Sequence, residues 1–339
     1  CLDCLIIDAT INHETLGDRR PNGLVPLHPR SEIMQPDKPS IYEQITGKIV
    51  TALENGVNPW AKPWHTVHSG PFRNALTNRP YRGMNVLLLN LVALSRGHAD
   101  PRWLTFRNAE QLGGHVRKGE KGAAIVFWKF LPARDRDGET ESEAASDDDQ
   151  ERKQVPFARS YTVFNVEQCE GLDLPPLDAE ELEGRGGNNE PAERVLALAQ
   201  LQHGGNKACY LPTPDLVLLP NRSAFENSDF YYATGFHEIC HWTGHATRLN
   251  RVFGSRFGDL GYAFEELVAE IGAAFLGTQT GIPFENMRHP EYIHHWLQIL
   301  KGDSKAIFTA AAKAQHAADF VLDQAGIVGD QEETLPVAA

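Results

Sequence analysis

No stretch of the 339 residues approaches the roughly eighteen consecutive apolar residues that a transmembrane helix needs. The opening CLDCLIIDAT is too short and too acidic to be a secretory signal, so a cytoplasmic location without membrane contact is expected. Cysteine is scarce: Cys1, Cys4, Cys169, Cys209 and Cys240 are odd in number and mostly scattered, so no disulfide framework is implied. Cys1 and Cys4 form one C-x-x-C with no second pair, and it reads as incidental rather than as a zinc knuckle. A chain opening on Cys1 instead of Met reads as truncated or fused. No acidic constellation of the polymerase kind is evident, so a primase-type module lacks support. Basic charge is also short overall, with 32 Lys and Arg against 45 Asp and Glu and a net charge of −13, a balance that by itself argues against nucleic acid.

The distribution of charge says something different. From Ile41 to Arg134 there are thirteen Lys and Arg against five Asp and Glu, a local excess of +8. From Asp135 to Arg152 nine acids stand against two arginines, or −7. Four of the six tryptophans (Trp60, Trp64, Trp103, Trp128) fall in the basic stretch, beside Phe72, Tyr81, Phe106 and Phe127. Cations that track phosphate next to rings that stack on unpaired bases suit single-stranded DNA. The candidate DNA-binding residues are Trp60, Trp64, Arg73, Arg79, Arg82, Arg107, Arg117, Lys118, Lys121 and Trp128. The competing reading puts the rings in a core and the arginines on a solvated face. The acidic stretch is expected to be a solvated, disordered insert between two strands; competition with phosphate for a basic groove is its regulatory alternative.

One short stretch organises the rest. Phe236 to His245 reads FHEICHWTGH and contains His237, Glu238 and His241 in the pattern H-E-x-x-H. Residues four apart lie one above the other on a helix, so His237 and His241 can present two imidazoles to one ion. Glu238 emerges about 100° round the same turn, positioned as a general base toward a water on that ion. Zinc held by three protein ligands keeps a position open for water, so a third ligand is required. Asn227-Ser228-Asp229 offers capping residues ahead of the motif, and Thr243-Gly244 a stop behind it. Downstream, YAFEELVAEIGAAFLG has a core face of Phe264, Leu267, Val268, Ile271 and Phe275. A separate stripe of Glu266, Glu270, Ala273 and Gly277 is narrow enough for a second helix to approach. Glu266 is therefore the expected third ligand, Glu270 the carboxylate that orients a metal-binding imidazole, and Glu265 the substitute ligand. His245 lies eight residues past His237 and reads as a cleft wall, a contact to a substrate carbonyl, or a structural hydrogen bond.

Taken in order, residues 1–38 read as a disordered tail and 39–170 as a mixed α/β unit with the acidic insert at 135–152. That unit has helical spacing from Ile41 to Leu53, a helix from about Asn85 to Ser95, a short helix broken by Gly113-Gly114, and strands at AAIVFWKF and FARSYTVFNVEQC. The segment 171–190, rich in Pro, Gly, Asn and acids, is a linker. A second domain follows at 191–325 and a tail at 326–339. It opens with a helix at PAERVLALAQLQ and two short strands, ACYLP and DLVLLP. Leu216 to Leu219, just ahead of the metal helix, is either an ordinary strand or an edge strand that pairs with an extended peptide. Helices at about 292–301 and 305–324 close the domain.

Several long segments together resemble one family. YEQITGKIVTALENGVNPWAKPW, RNALTNRPYRGMNVLLL, WLTFRNAEQLGGHVRKGEKGAAIVFW, HEICHWTGHATRLNR, YAFEELVAEIGAAFL and WLQILKGDSKAIFTAAAKAQHAADF recur in order, from about Ile41 to Gln324. In these the chain resembles the ArdC family of plasmid antirestriction proteins and the amino-terminal part of TraC-type primases. The resemblance implies an N-terminal single-stranded-DNA-binding domain, a C-terminal zincin-like metallopeptidase domain, and a role in shielding incoming plasmid DNA from host restriction after conjugation. It also implies His237 and His241 as ligands, Glu238 as catalytic base and a ligand from EELVAE. The fold expected is thus α+β, with an N-terminal mixed α/β domain and a C-terminal, mostly helical domain holding a small sheet. The expected cofactor is Zn2+ and the expected partners are single-stranded DNA and a protein or peptide substrate. The alternatives are a DNA-coating protein whose zinc is only structural, and a protease acting on DNA-bound proteins.

Overall fold

The first helix, α1 (Ile41–Glu54), begins with a reciprocal cap. Ser40 Oγ accepts from the Glu43 N–H at 3.3 Å, while the Glu43 carboxylate accepts from the Ser40 N–H at 2.6 Å, so two of the first-turn amides are satisfied without water. Its buried face is Ile45, Ile49, Ala52 and Leu53, the helical spacing that the sequence carries. The computed structural model of the chain describes residues 39–60, 71–132, 154–175, 177, 189–251, 260–283 and 290–327. The expected tail 1–38, the acidic insert 135–152, most of the linker 171–190, Trp64 and all but two residues of the tail 326–339 lie outside the described residues.

After α1 come β1 (Arg73–Asn74), α2 (Met84–Arg96), β2 (Arg102–Leu104), α3 (Phe106–Gln111), β3 (His115–Val116), β4 (Ala123–Pro132), β5 (Gln154–Asn165) and β6 (Cys169–Glu170). Strands β1, β2, β5 and β4 form one sheet in that order. β1 runs parallel to β2 and the remaining pairs are antiparallel, with Ala123 opposite Val163 and Pro132 opposite Gln154. β3 and β6 make a small second ladder. Gly113 and Gly114 end α3 as expected from the sequence, and Gly114 does more. A Cβ there would lie 2.4 Å from the Glu170 carbonyl oxygen, so only glycine lets the chain pass β6 at this spacing.

The C-terminal half runs α4 (Glu190–Leu196), β7 (Gln200–His203), β8 (Cys209–Leu211), β9 (Leu216–Leu219), α5 (Ser228–Thr243), α6 (Leu260–Thr280), α7 (Pro290–Gly302) and α8 (Ala306–Gln324). Two expectations are corrected here. The helix expected over PAERVLALAQLQ stops at Leu196, and Gln200–His203 is drawn into parallel pairing with β9; tertiary pairing overrides a weak helical pattern. β9 is also not an edge. It lies between β7 and β8 with both sides hydrogen-bonded, so it cannot add an extended peptide, and the open edges of this sheet belong to β7 and β8.

The largest hydrophobic core crosses both halves. Ile45, Ile49, Leu53, Trp60 and Leu87 from the first half share it with Trp242, Trp296, Leu300, Ile307 and Ala311 from the second. Each large aliphatic chain fully removed from water contributes about 1.5–3 kcal/mol. Directional contacts fix the join: Thr46 Oγ1 donates to the Ser304 carbonyl at 2.6 Å, and the Tyr42 and Phe308 rings meet edge-on at 5.0 Å. The architecture is α+β in two parts, and α6, which carries the expected third ligand, is its most deeply buried helix among those described. No helix among the described residues is long and apolar enough to cross a membrane.

Candidate metal centre

Helix α5 is started by Asn227, whose side chain accepts from the Phe230 N–H at 2.9 Å. Its inward face includes Phe236, His237, Ile239 and Cys240, all buried, so the motif enters the core instead of facing solvent. The helical repeat brings His237 Nε2 and His241 Nε2 to 3.1 Å from one another. Glu266 of α6 faces this pair with both oxygens: Oε2 is 3.4 Å from His237 Nε2 and Oε1 is 3.4 Å from His241 Nε2. One donor atom from each of the three residues falls within 4.8 Å of the others, a spacing that one ion can satisfy.

The helices come this close because of Gly272. A Cβ on it would lie 2.6 Å from Cys240 Sγ and 3.7 Å from the Ala314 carbonyl oxygen, so α5, α6 and α8 converge where α6 has no side chain. The sequence stripe pointed instead to Ala273 and Gly277 as the small residues that admit the second helix. Cys240 belongs to this seam, and burial pushes its thiol up to about 12, which keeps it an inert packing group.

Behind the ligand atoms the two imidazoles are supported differently. His241 Nδ1 is 3.4 Å from Glu265 Oε1, and Glu265 is held in turn by Arg251, whose Nη2 donates to Oε1 at 2.7 Å and whose Nε lies 3.2 and 3.1 Å from the two oxygens. Arg251 also donates to Thr243 Oγ1 at 2.7 Å and to the Cys240 carbonyl at 2.6 Å, which ties this support to the end of α5. His237 Nδ1 faces Glu270 Oε2 at 3.9 Å, beyond hydrogen-bond reach. Neither Glu270 oxygen has a hydrogen-bond partner, and both are sealed from solvent. Glu270 thus lies near the His237 imidazole but makes no hydrogen bond to orient it, contrary to the expectation from the sequence. Glu265, the substitute ligand, lies on the Nδ1 side of His241 and is taken up by Arg251.

Protonation follows from this burial. Burial disfavours the charged imidazole of His241, but hydrogen bonds to Glu265 and Glu266 outweigh it and lift its pKa to about 10; His237 is raised by the same balance. Burial pushes the Glu266 carboxyl up, yet the two histidines hold it well below the usual carboxylate range. Burial, reinforced by the Glu266 charge, lifts Glu270 to about 7, with the histidines opposing. Glu238, Glu265, Glu266 and Glu270 are all buried around two imidazoles and one arginine. This excess of buried negative charge, with three donor atoms turned toward one point, fits a divalent cation. Protons on the histidines occupy the same donors, so a metal must displace them and its affinity rises with pH.

Sequence reading missed three further groups. Tyr262 stands one turn before Glu266 on the same stripe, and burial, followed by the Glu266 charge and a hydrogen bond with Tyr292, drives its phenol well up. Extending the Glu266–Glu270 stripe backwards would have found it. Arg251 has no local signal, because its meaning depends on Glu265 fourteen residues on. A clamp joins the end of α5 to the β8–β9 turn: Arg248 stacks 4.0 Å over the Trp242 ring and donates to Asp215 Oδ2 at 2.9 Å, while the Tyr210 hydroxyl donates to Asp215 Oδ1 at 2.8 Å. His245 turns away into its own loop, where Nδ1 meets Thr247 Oγ1 at 2.8 Å.

The candidate DNA residues are less concentrated. Trp60 is only 3% exposed and packs edge-on against Trp296 at 5.5 Å, so it is a core residue with no ring face to offer a base; that expectation is corrected. Arg73 and Arg82 are half-buried, and Arg82 pairs with Asp319 of α8. Arg79, Arg107, Lys118 and Lys121 are exposed, and Arg117 pairs with Glu120 at 2.8 Å. Trp128 is placed by its backbone alone, opposite Ala158 on β4. Phe106, absent from the candidate set, is 52% exposed immediately before Arg107, with its edge on Phe164 at 5.9 Å.

Known proteins share this arrangement. Residues 39–164 match the family model for the N-terminal domain of anti-restriction factor ArdC, and residues 191–313 match that of a zincin-like metallopeptidase. A DNA primase TraC of Escherichia coli is 39% identical over 299 residues, covering 84% of this chain and 27% of that protein. The chain thus spans about a quarter of the length of that primase. The uncharacterized protein y4eC of Sinorhizobium fredii (strain NBRC 101917 / NGR234) is 37% identical over 292 residues, covering 83% of this chain and 91% of y4eC. The metal-free crystal structure of the antirestriction protein ArdC from plasmid R388 superposes with a TM-score of 0.69 at 35% identity, covering 85% of this chain and 98% of that one. Its Mn(II)-bound structure gives 0.66 at 36% identity, covering 84% and 98%. With both halves matched, and relatives of this identity aligned over nearly their whole length, the chain belongs to the ArdC antirestriction family.

Proposed function

We propose that this chain binds single-stranded DNA through its N-terminal half and hydrolyses peptide bonds with zinc in its C-terminal half, and that it protects incoming plasmid DNA from restriction. The convergence of His237, His241 and Glu266 carries the hydrolytic part. The two imidazoles would hold the ion through Nε2 and Glu266 through its carboxylate. Two imidazoles and a carboxylate form a zinc-type set, and the existence of a Mn(II)-bound structure of ArdC from R388 agrees with a divalent ion. A bound divalent ion supplies a Lewis acid that activates water for attack on a substrate carbonyl. Glu238, one residue from His237 and buried beside both rings, takes the proton of the attacking water and returns it to the leaving amine. Glu265 and Arg251 keep the His241 ring in one orientation. Tyr262, kept protonated by burial and by the Glu266 charge, engages Glu266 and Tyr292 and so braces the carboxylate from the α6 side.

The DNA part rests on the local charge excess of the N-terminal half and on the exposed Phe106, Arg107, Lys118 and Lys121, with Arg79 on the neighbouring loop. The names of the R388 and Escherichia coli relatives agree with it. Glu238→Gln is the test that separates the parts. It should leave metal content, read by mass spectrometry, and single-strand binding unchanged while abolishing peptide cleavage, a loss of about 100-fold or more. Cleavage persisting in this variant would refute the proposed base. Survival of antirestriction in cells carrying it would assign protection to DNA coating alone, with the metal serving the fold.

A further inference from the structure

Where the two halves meet, the loop ahead of α2 and the faces of α6 and α8 enclose a cavity of about 230 Å³. Its polar lining includes Arg73, Asn78, Tyr81 and Arg82 from the first half and Gln279, Gln315 and the Asp319 carboxylate from the second. Part of that lining is already engaged. Gln315 Oε1 accepts from the Gly83 N–H at 2.8 Å, Gln315 Nε2 donates to Asp319 Oδ1 at 3.0 Å, and Asp319 also takes Arg82. Arg73 is different. Its Nε is sealed from solvent without a hydrogen-bond partner, and no carboxylate pairs with its guanidinium among the described residues. That one N–H gives up hydration with nothing in return, while the half-buried remainder of the guanidinium stays open to a ligand that supplies acceptors.

The chemistry of that ligand can be narrowed. Arg73 and Arg82 against Asp319 leave one excess positive charge. The planar guanidinium fork of Arg73 matches two oxygens of a carboxylate or a phosphate, and the local basic excess of the first half favours phosphate. A cavity of about 230 Å³ has room for several water molecules, more than a bare anion fills. The remaining polar lining is neutral and includes the amides of Asn78 and Gln279 and the Tyr81 phenol, which burial pushes up to about 12 and so keeps protonated, while Val86, Phe275 and Leu322 add apolar surface. These groups suit the sugar and base edges of an attached nucleoside.

We infer that this cavity between the loop before α2 and helices α6 and α8 binds a phosphate of single-stranded nucleic acid together with part of its nucleoside, with Arg73 as the phosphate fork. The inference rests on the reading that the N-terminal half binds single-stranded DNA, and it gives that reading a defined pocket. It also has a structural corollary. Gln279 and the ligand carboxylate Glu266 belong to the same helix, so a bound strand touches the element that builds the metal centre.

The test is binding of a fluorescent oligothymidylate to the whole protein over a salt series, for the wild type, Arg73→Gln and Gln279→Glu, alongside hydrogen–deuterium exchange. Both variants should bind about 5- to 50-fold more weakly near 0.1 M salt, and Arg73→Gln should reduce the salt slope by about one. In the wild type the oligonucleotide should protect peptides covering 71–82 and 275–282, and the variants should lose that protection. If Arg73→Gln fails to fold by circular dichroism, Gln279→Glu decides, since that side chain is exposed at the rim. Wild-type binding with unchanged affinity, slope and protection in the variants would overturn the pocket and leave the DNA reading intact. No wild-type binding would overturn both. Protection by inorganic phosphate but not by the oligonucleotide would mark a free-phosphate site and overturn the nucleic-acid assignment.

Discussion

Around the candidate metal centre four carboxylates and two imidazoles are withdrawn from water and turned toward one another, whereas most of the described cations of the first half stay in solvent. The contrast has a physical origin. A buried charge without a partner costs several kcal/mol, so each buried group must meet another and the positions of all become mutually determined. An exposed lysine meets no such demand, because water satisfies it wherever it points. The first arrangement can be read as a geometry; the second can be read only as a field.

The sharpest way to break this comparison is to exchange the two neighbouring glutamates of α6. Glu266→Gln should cut metal affinity by more than about 100-fold, whereas Glu265→Gln should cost about 10- to 100-fold, since it acts through His241. Metal titration against a competing chelator measures both, and equal losses would mean that Glu266 does not ligate. On the other side of the comparison, Phe106→Ala should weaken single-strand binding by about 1–3 kcal/mol, while Trp60→Phe should lower thermal stability and leave DNA affinity unchanged. Anisotropy titrations of the two variants read this directly, and a larger loss at Trp60 would reverse the placement.

A third expectation concerns Glu270 and is confined to one end of the pH range. Its folded-state pKa of about 7 lies above the ordinary value of 4.5, so the metal-free folded protein binds an extra proton between them. That contribution to stability is complete below about pH 4.5 and is lost as pH rises through about 7. Glu270→Gln stays neutral throughout. It should therefore match the wild type near pH 4 and exceed it at pH 8, by up to about 3 kcal/mol in chemical denaturation of the metal-free protein. With metal bound the order should reverse, because the ion favours the charged carboxylate behind His237.

What could be read from the chain divides along the same line. The pairing of His237 with His241, and the stripe carrying Glu266 and Glu270, are consequences of helical repeat, which is local and fixed. The nearly full run of α5 to α8 was legible for the same reason. Missed features depend on contacts that no local pattern encodes: Arg251 finding Glu265, β9 acquiring neighbours on both sides, and the end of α4 giving way to β7. Trp60 failed differently. Composition placed an aromatic among cations, and only the packing of α7 against the segment that follows α1 shows that its ring is consumed by Trp296.

The bare position at Gly272 has one more consequence. Since α5 and α6 are in contact there through a backbone and a thiol, and α8 closes the third side, their separation is not free to adapt. The seam then works as a caliper, set one turn and a half beyond Glu266. On the proposed ligand set, an ion too large for the span would have to force three helices apart and one too small would have to draw a glutamate inward, so the gauge of this packed crevice would bear on which divalent cation fits.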